Sequence, residues 1–204
     1  MLSHENFQLC SRSGSMAGGD RRPLAGTPVT RQIAARHDNR LGAVYSSLYS
    51  FWMSRLSAVT SGQTQAAVRR DSYSVILFDD AVVNCVNNDF TSSPDQLLAR
   101  VMQYSAAGGT SYNLAVGAAE QVMRQHWSTE RWVQIYSLRR MLSQSTRNFS
   151  TPVIIFLSDG ECSIDDQDMQ SLSRAAVALG YVSQRFMPLP YLNFLIENRY
   201  RSMA

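Results

Sequence analysis

The run Thr151-Pro152-Val153-Ile154-Ile155-Phe156-Leu157 is apolar almost without a break and stops on Ser158-Asp159-Gly160. A strand with one wet face alternates apolar and polar residues. An uninterrupted run of this length is the mark of a strand covered on both faces, as in a parallel sheet packed between helices. The chain must therefore supply helices for two faces of a sheet, and 204 residues are enough for one such domain.

The rest of the sequence meets that demand. Residues 6–10 (NFQLC) read as a short strand, followed by a Gly/Ser/Pro-rich loop from Ser11 to about Asn39. A helical period then sets in, with Leu41, Val44, Tyr45, Leu48, Tyr49, Trp52 and Leu56 on one face, as core filler rather than a ligand box. Residues 72–80 (SYSVILFDD) are a β-branched strand ending in acids, and 81–86 (AVVNCV) follow closely enough to form an antiparallel edge hairpin. Ser93-Pro94-Asp95-Gln96 combines an N-cap, a first-turn proline and the partner of a capping box, opening a helix to about Tyr104. Residues 105–111 form a glycine turn before a helix from Tyr112 to about Trp127, and 163–180 read as a last helix stopped by Gly180. Strands alternating with amphipathic helices predict a three-layer, Rossmann-like doubly wound α/β sheet. Its ligands would bind outside the carboxyl ends of the strands.

Composition removes several functions. All 19 basic residues are arginine, so Schiff-base lysines and a P-loop lysine are excluded. The net charge of +3 is spread along the chain and leaves no nucleic-acid footprint. Cys10, Cys85 and Cys162 are odd in number and widely spaced, which argues against a zinc site and for buried free thiols in a reducing compartment. Residues 1–10 have neither a basic nor an apolar signal-peptide region, and no apolar run approaches the ~18 residues that cross a bilayer. The expectation is a soluble, cytoplasmic protein without a membrane partner.

Three polar clusters fall where a doubly wound sheet would gather them: Ser11-Arg12-Ser13-Gly14-Ser15-Met16, Gly108-Gly109-Thr110 and Ser158-Asp159-Gly160. In this order they resemble the metal-ion-dependent adhesion site of the von Willebrand factor type A family. That family carries Asp-x-Ser-x-Ser in the first loop, often continued as Asp-x-Ser-Gly-Ser-Met, a threonine in the second and an aspartate in the third. Ser13, Ser15, Thr110 and Asp159 stand at the motif positions, and Ser11 stands where the leading aspartate should be. The resemblance covers roughly residues 6–180 and implies a non-enzymatic protein-interaction module. It also implies Mg²⁺ or Mn²⁺ held by hydroxyls and one carboxylate, with a protein partner offering an acidic side chain to the open coordination position. Such ions want oxygen ligands, but a serine at position 11 cannot replace a negative charge, so the metal affinity is expected to be weak.

Within a domain spanning 1–180, the stretch 129–150 reads as an insertion, and 181–204 as an irregular tail broken by Pro188 and Pro190. The strands expected after Gly180 are missing, so the sheet would end at 152–157 with an apolar edge. The sequence accordingly reads as a truncated or mis-spliced product. Two other functions compete with a binding module. One is a serine hydrolase using Ser13 or Ser15 with Asp159 and His4, His37 or His126, although no Gly-x-Ser-x-Gly elbow is present. The other is nucleotide binding through Gly108-Gly109-Thr110, which lacks the P-loop spacing. A degenerate structural domain without metal is the remaining alternative.

Overall fold

The computed structural model describes residues 5–61, 71–126 and 152–159, together with the helical positions 167, 170, 171 and 174. Strand β1 (Glu5–Ser11) lies at the centre of a four-stranded sheet of order β3-β2-β1-β4. It pairs in parallel with β2 (Ser72–Phe78) on one side and β4 (Pro152–Leu157) on the other. β3 (Val82–Asp89) is antiparallel to β2 and forms one edge, through a hairpin and a local register shift.

Alternation along the strands sends side chains to two separate cores. Cys10, Val75 and Leu77 meet helix α2 (Arg40–Ser61) and helix α3 (Pro94–Val101) on one face. Phe7, Leu9, Ile76 and Phe78 meet helix α4 (Tyr112–His126) on the other. This is the three-layer α/β arrangement expected from the sequence. Leu41, Tyr45, Leu48, Tyr49 and Trp52 are the buried face of α2. Asn39 caps that helix, its Oδ1 accepting from the Gly42 amide at 3.0 Å. The capping box of α3 is present too: Ser93 Oγ accepts from Gln96 N at 3.3 Å and Gln96 Oε1 from Ser93 N at 2.9 Å.

Several expectations need correction. The first loop is not wholly irregular, since it holds a 3₁₀ turn (Gly14–Ala17) and a short helix, α1 (Thr30–Ala34), seated by the buried Ile33. Five helical residues are too few to show a period. Leu56 does not complete the apolar face of α2: it is 43% exposed, one turn past the buried Trp52. β4 is half-buried along Ile154–Leu157 rather than buried, because among the described residues it has a neighbour on one side only. Cys10 and Cys85 are free thiols, and burial raises both, Cys85 to about 11. The stretches 129–150 and 181–204, Cys162 and most of 163–180 lie outside the described residues.

Beneath the carboxyl end of the sheet, Phe78, Tyr112 and Phe156 form an aromatic trio with ring centroids 5.2–5.7 Å apart. The Tyr112 hydroxyl lies 2.6 Å from Ser158 Oγ, so this trio also fixes the turn that carries Asp159.

Candidate functional site

β1 ends at Ser11, and the Arg12 amide extends the ladder by one more bond, donating to Phe78 O at 2.8 Å. The chain then tightens into the 3₁₀ turn, which stacks three hydroxyls in a row. Ser11 Oγ and Ser13 Oγ are 3.1 Å apart, Ser13 Oγ and Ser15 Oγ 2.9 Å apart, and Ser15 Oγ donates to Asp159 Oδ1 at 3.0 Å. Ser11 and Ser13 are buried and Ser15 is exposed, so the ladder climbs from the sheet to the surface. It joins the loop after β1 to the loop after β4. Those loops face each other across the point where strand order reverses, with β2 reached to one side of β1 and β4 to the other. Open α/β sheets bind ligands at that point.

The second loop is clamped to the first by backbone bonds. Gly14 N donates to Gly108 O at 2.8 Å and Ala107 N to Arg12 O at 2.8 Å. Gly108 has φ +68°, and a Cβ on it would lie 3.0 Å from Asp80 Oδ2. A Cβ on Gly109 would overlap the Asp80 carboxylate, which accepts from the Gly109 amide at 2.6 Å. The two glycines therefore answer to close approach of the acids that end β2. Thr110 follows them, half-buried, and is tied to the serines through the Gly14–Gly108 bond rather than by its own hydroxyl.

Asp79 and Asp80 do not stand in for the missing aspartate. Asp79 accepts from Ala81 N at 2.7 Å and pairs with Arg12 Nη2 at 2.7 Å, while Asp80 turns to Gly109. The guanidinium of Arg12 lies 5.9 Å from the centre of the Tyr104 ring.

The residue that sequence reasoning missed is Arg40. Its Nη1 donates to Asp159 Oδ2 at 2.5 Å, while Nε and Nη2 donate to Asp20 Oδ1 and Oδ2 at 2.5 and 3.0 Å. The Asp20 carboxylate, and then Asp159, hold the guanidinium above its already high ordinary range, and Arg40 in turn lowers Asp20. Arg40 is separated from Asp159 by 119 residues, so no local pattern announces the contact. One signal was available. Arg40 is the first residue of a helix, where a cation opposes the macrodipole and needs another reason to be there.

As folded, these donors do not fit a divalent ion. Ser13, Ser15 and Thr110 offer only neutral hydroxyls, and the first two are spent on each other and on Asp159. Both oxygens of the one carboxylate at the motif positions are engaged, one of them by a guanidinium. Mg²⁺ is usually held through one or two carboxylates, and the one carboxylate at these positions is already paired with a cation. Among the described residues, no three of His, Cys, Asp and Glu gather into a metal-binding group.

No protein-family model matches the chain, and no curated protein sequence does. Solved structures similar to it include the von Willebrand factor domain of the type V pilus tip protein Mfa5 from Porphyromonas gingivalis. It is 16% identical, with a TM-score of 0.41 over 60% of this chain and 33% of that one. Proximal thread matrix protein 1 from the mussel byssus is 11% identical, with a TM-score of 0.49 over 88% of this chain and 35% of that one. A form of the same mussel protein with a zinc-occupied adhesion-site motif is 10% identical, with a TM-score of 0.43 over 85% and 36%. The chain thus spans about a third of the length of these proteins. The fold class rests on its own sheet order and its two covered faces.

Proposed function

We propose that this chain is a protein-interaction module, of the von Willebrand factor type A kind, that binds its partner with the loops at the carboxyl end of the sheet. The observation that carries this reading is the Ser11-Ser13-Ser15-Asp159 ladder, which bridges two strands at the switch point and opens to solvent at Ser15. The held guanidinium beside the ladder is a hydrogen-bond donor that a partner's oxygen atoms, an acidic side chain included, can meet. Nothing in the arrangement calls for turnover. A serine hydrolase would need an imidazole on the ladder, but His37 Nε2 lies 3.1 Å from Met102 O and His126 Nε2 lies 2.8 Å from Asn87 Oδ1. His4 lies outside the described residues. No helix among the described residues is long and apolar enough to cross a membrane.

The test is site-specific photocrosslinking in the cells that make the protein. A photoreactive residue at Ser15 or Gly19 should capture a discrete protein that the same residue at Leu114, on exposed α4, does not. Capture from Leu114 but from neither loop position would defeat the reading.

A further inference from the structure

The loop face carries a cation of its own. Asp159 has a side chain only 9% exposed, and a carboxylate so placed needs a counter-charge. Arg40 supplies it from the first residue of α2. We propose that Arg40 takes the place that a divalent ion would fill, so that the serine–aspartate site is assembled and held without metal. This deepens the interaction reading above and rests on it for its purpose, though its test needs no partner.

Four observations converge. Charge comes first: with serine at position 11, Asp159 is the one acid at the motif positions. The Arg40 guanidinium already answers that acid, and it brings a second carboxylate, Asp20, into the same ion-pair network. Next, the guanidinium is gripped from two sides. Asp20 takes Nε and Nη2 as a bidentate pair, which fixes its plane, while Nη1 reaches Asp159. The backbone is also shaped around it. The Arg40 amide donates to Gly18 O at 2.9 Å and Gly18 N to Ser15 O at 3.1 Å, so one turn ties the arginine to the ladder. A Cβ on Gly18 would come within 3.1 Å of both Arg40 Nε and Asp20 Oδ1, so glycine leaves the passage open. Finally, the arginine holds this position against the helix dipole. Three of its five N–H groups are used, which leaves two over on a side chain 32% exposed. They are the donors a partner would meet where a metal would have offered its open position.

The test titrates the full-length protein with Mn²⁺ alone, following free ion by electron paramagnetic resonance, for the native chain, Ser11→Asp, and Ser11→Asp combined with Arg40→Gln. The native chain should take up no Mn²⁺ at millimolar concentration. Restoring the acid should not be enough while Arg40 is present. The double variant should bind roughly tenfold or more tightly than Ser11→Asp, the effect of removing a unit charge beside the ion. Tight binding by the native chain, or equal binding by the two variants, would overturn the proposal. Should the double variant not fold, amide hydrogen exchange on the native chain decides. Protection across residues 11–18 should be unchanged by EDTA, and protection that falls on chelation would overturn the proposal. Neither measurement involves a partner, so failure of the crosslinking experiment leaves this result standing, and the reverse holds too.

Discussion

Removing the carboxylate of Asp79 would leave Arg12 without its counter-ion beneath the first two loops. The two side chains are 8% and 17% exposed and meet at 2.7 Å. Arg12 Nε already lacks a hydrogen-bond partner among the described residues, so the pair is the main compensation for burying that cation. Breaking a buried pair by deleting one partner costs about 3–5 kcal/mol, because the surviving charge is stranded. Asp79 Oδ1 also accepts from Ala81 N at 2.7 Å, a bond worth about 1 kcal/mol. We expect Asp79→Ala to lose about 4 kcal/mol, or roughly 8–16 °C in midpoint for a chain of this size. The double variant Arg12→Met/Asp79→Ala should recover much of it, since no buried charge remains. Urea denaturation of the four proteins in a double-mutant cycle measures the coupling directly. A single-variant loss below about 1 kcal/mol, or a double variant equal to the sum of the singles, would refute the reasoning.

Three further outcomes follow from the packing. Phe78→Ala removes one fully buried ring of the aromatic trio and should cost about 3–5 kcal/mol in the same denaturation assay. Gly109→Ala drives a methyl into the Asp80 carboxylate and should cost about 1–3 kcal/mol, whereas Gly19→Ala, with open space around it, should be close to neutral. Asp89 gives the acid dependence. Burial raises its carboxyl, but the amides and hydroxyls of Ser92 and Thr91 outweigh this and hold it well below the usual range, with Arg100 Nη1 2.8 Å away. A depressed folded value means a contribution that is present above the unfolded carboxylate value of about 3.9 and is lost as pH falls toward the folded one. Stability measured below pH ~4 should therefore fall less steeply in Asp89→Asn than in the native chain.

The parts of the fold that showed in the sequence are those where burial imposes a pattern. β2 is apolar from Val75 to Phe78 because helices cover both of its faces, and α2 repeats at Leu41, Tyr45, Leu48 and Trp52 because one stripe meets the sheet. The helix start at Ser93 was legible because capping is local chemistry. The short α1 was not, since its place depends on one buried residue, Ile33, rather than a repeat. At the site, the serines and Asp159 could be located because each follows a strand. The role of Arg40 could not, because it arises only when α2 is docked beside the loop after β4. Gly108 and Gly109 looked like a ligand loop, whereas their glycines accommodate Asp79 and Asp80 on the neighbouring hairpin.

Deep in the sheet, Gln8 is fully buried on the central strand, and its Oε1 accepts from Trp52 Nε1 at 3.0 Å. Trp52 lies 12 residues along α2 from Arg40, which at ~1.5 Å per residue is roughly 18 Å of rigid helix. Slipping that helix by one residue would turn it by ~100° and swing Arg40 off Asp159. The buried amide therefore clocks the helix like a key in a shaft, so a loosening at Gln8 would be felt as misaligned chemistry at the far surface. Gln8→Leu, apolar and of similar size, would leave α2 packed but take away this buried polar contact to it. Its first symptom should be lost alignment of Arg40 rather than lost secondary structure.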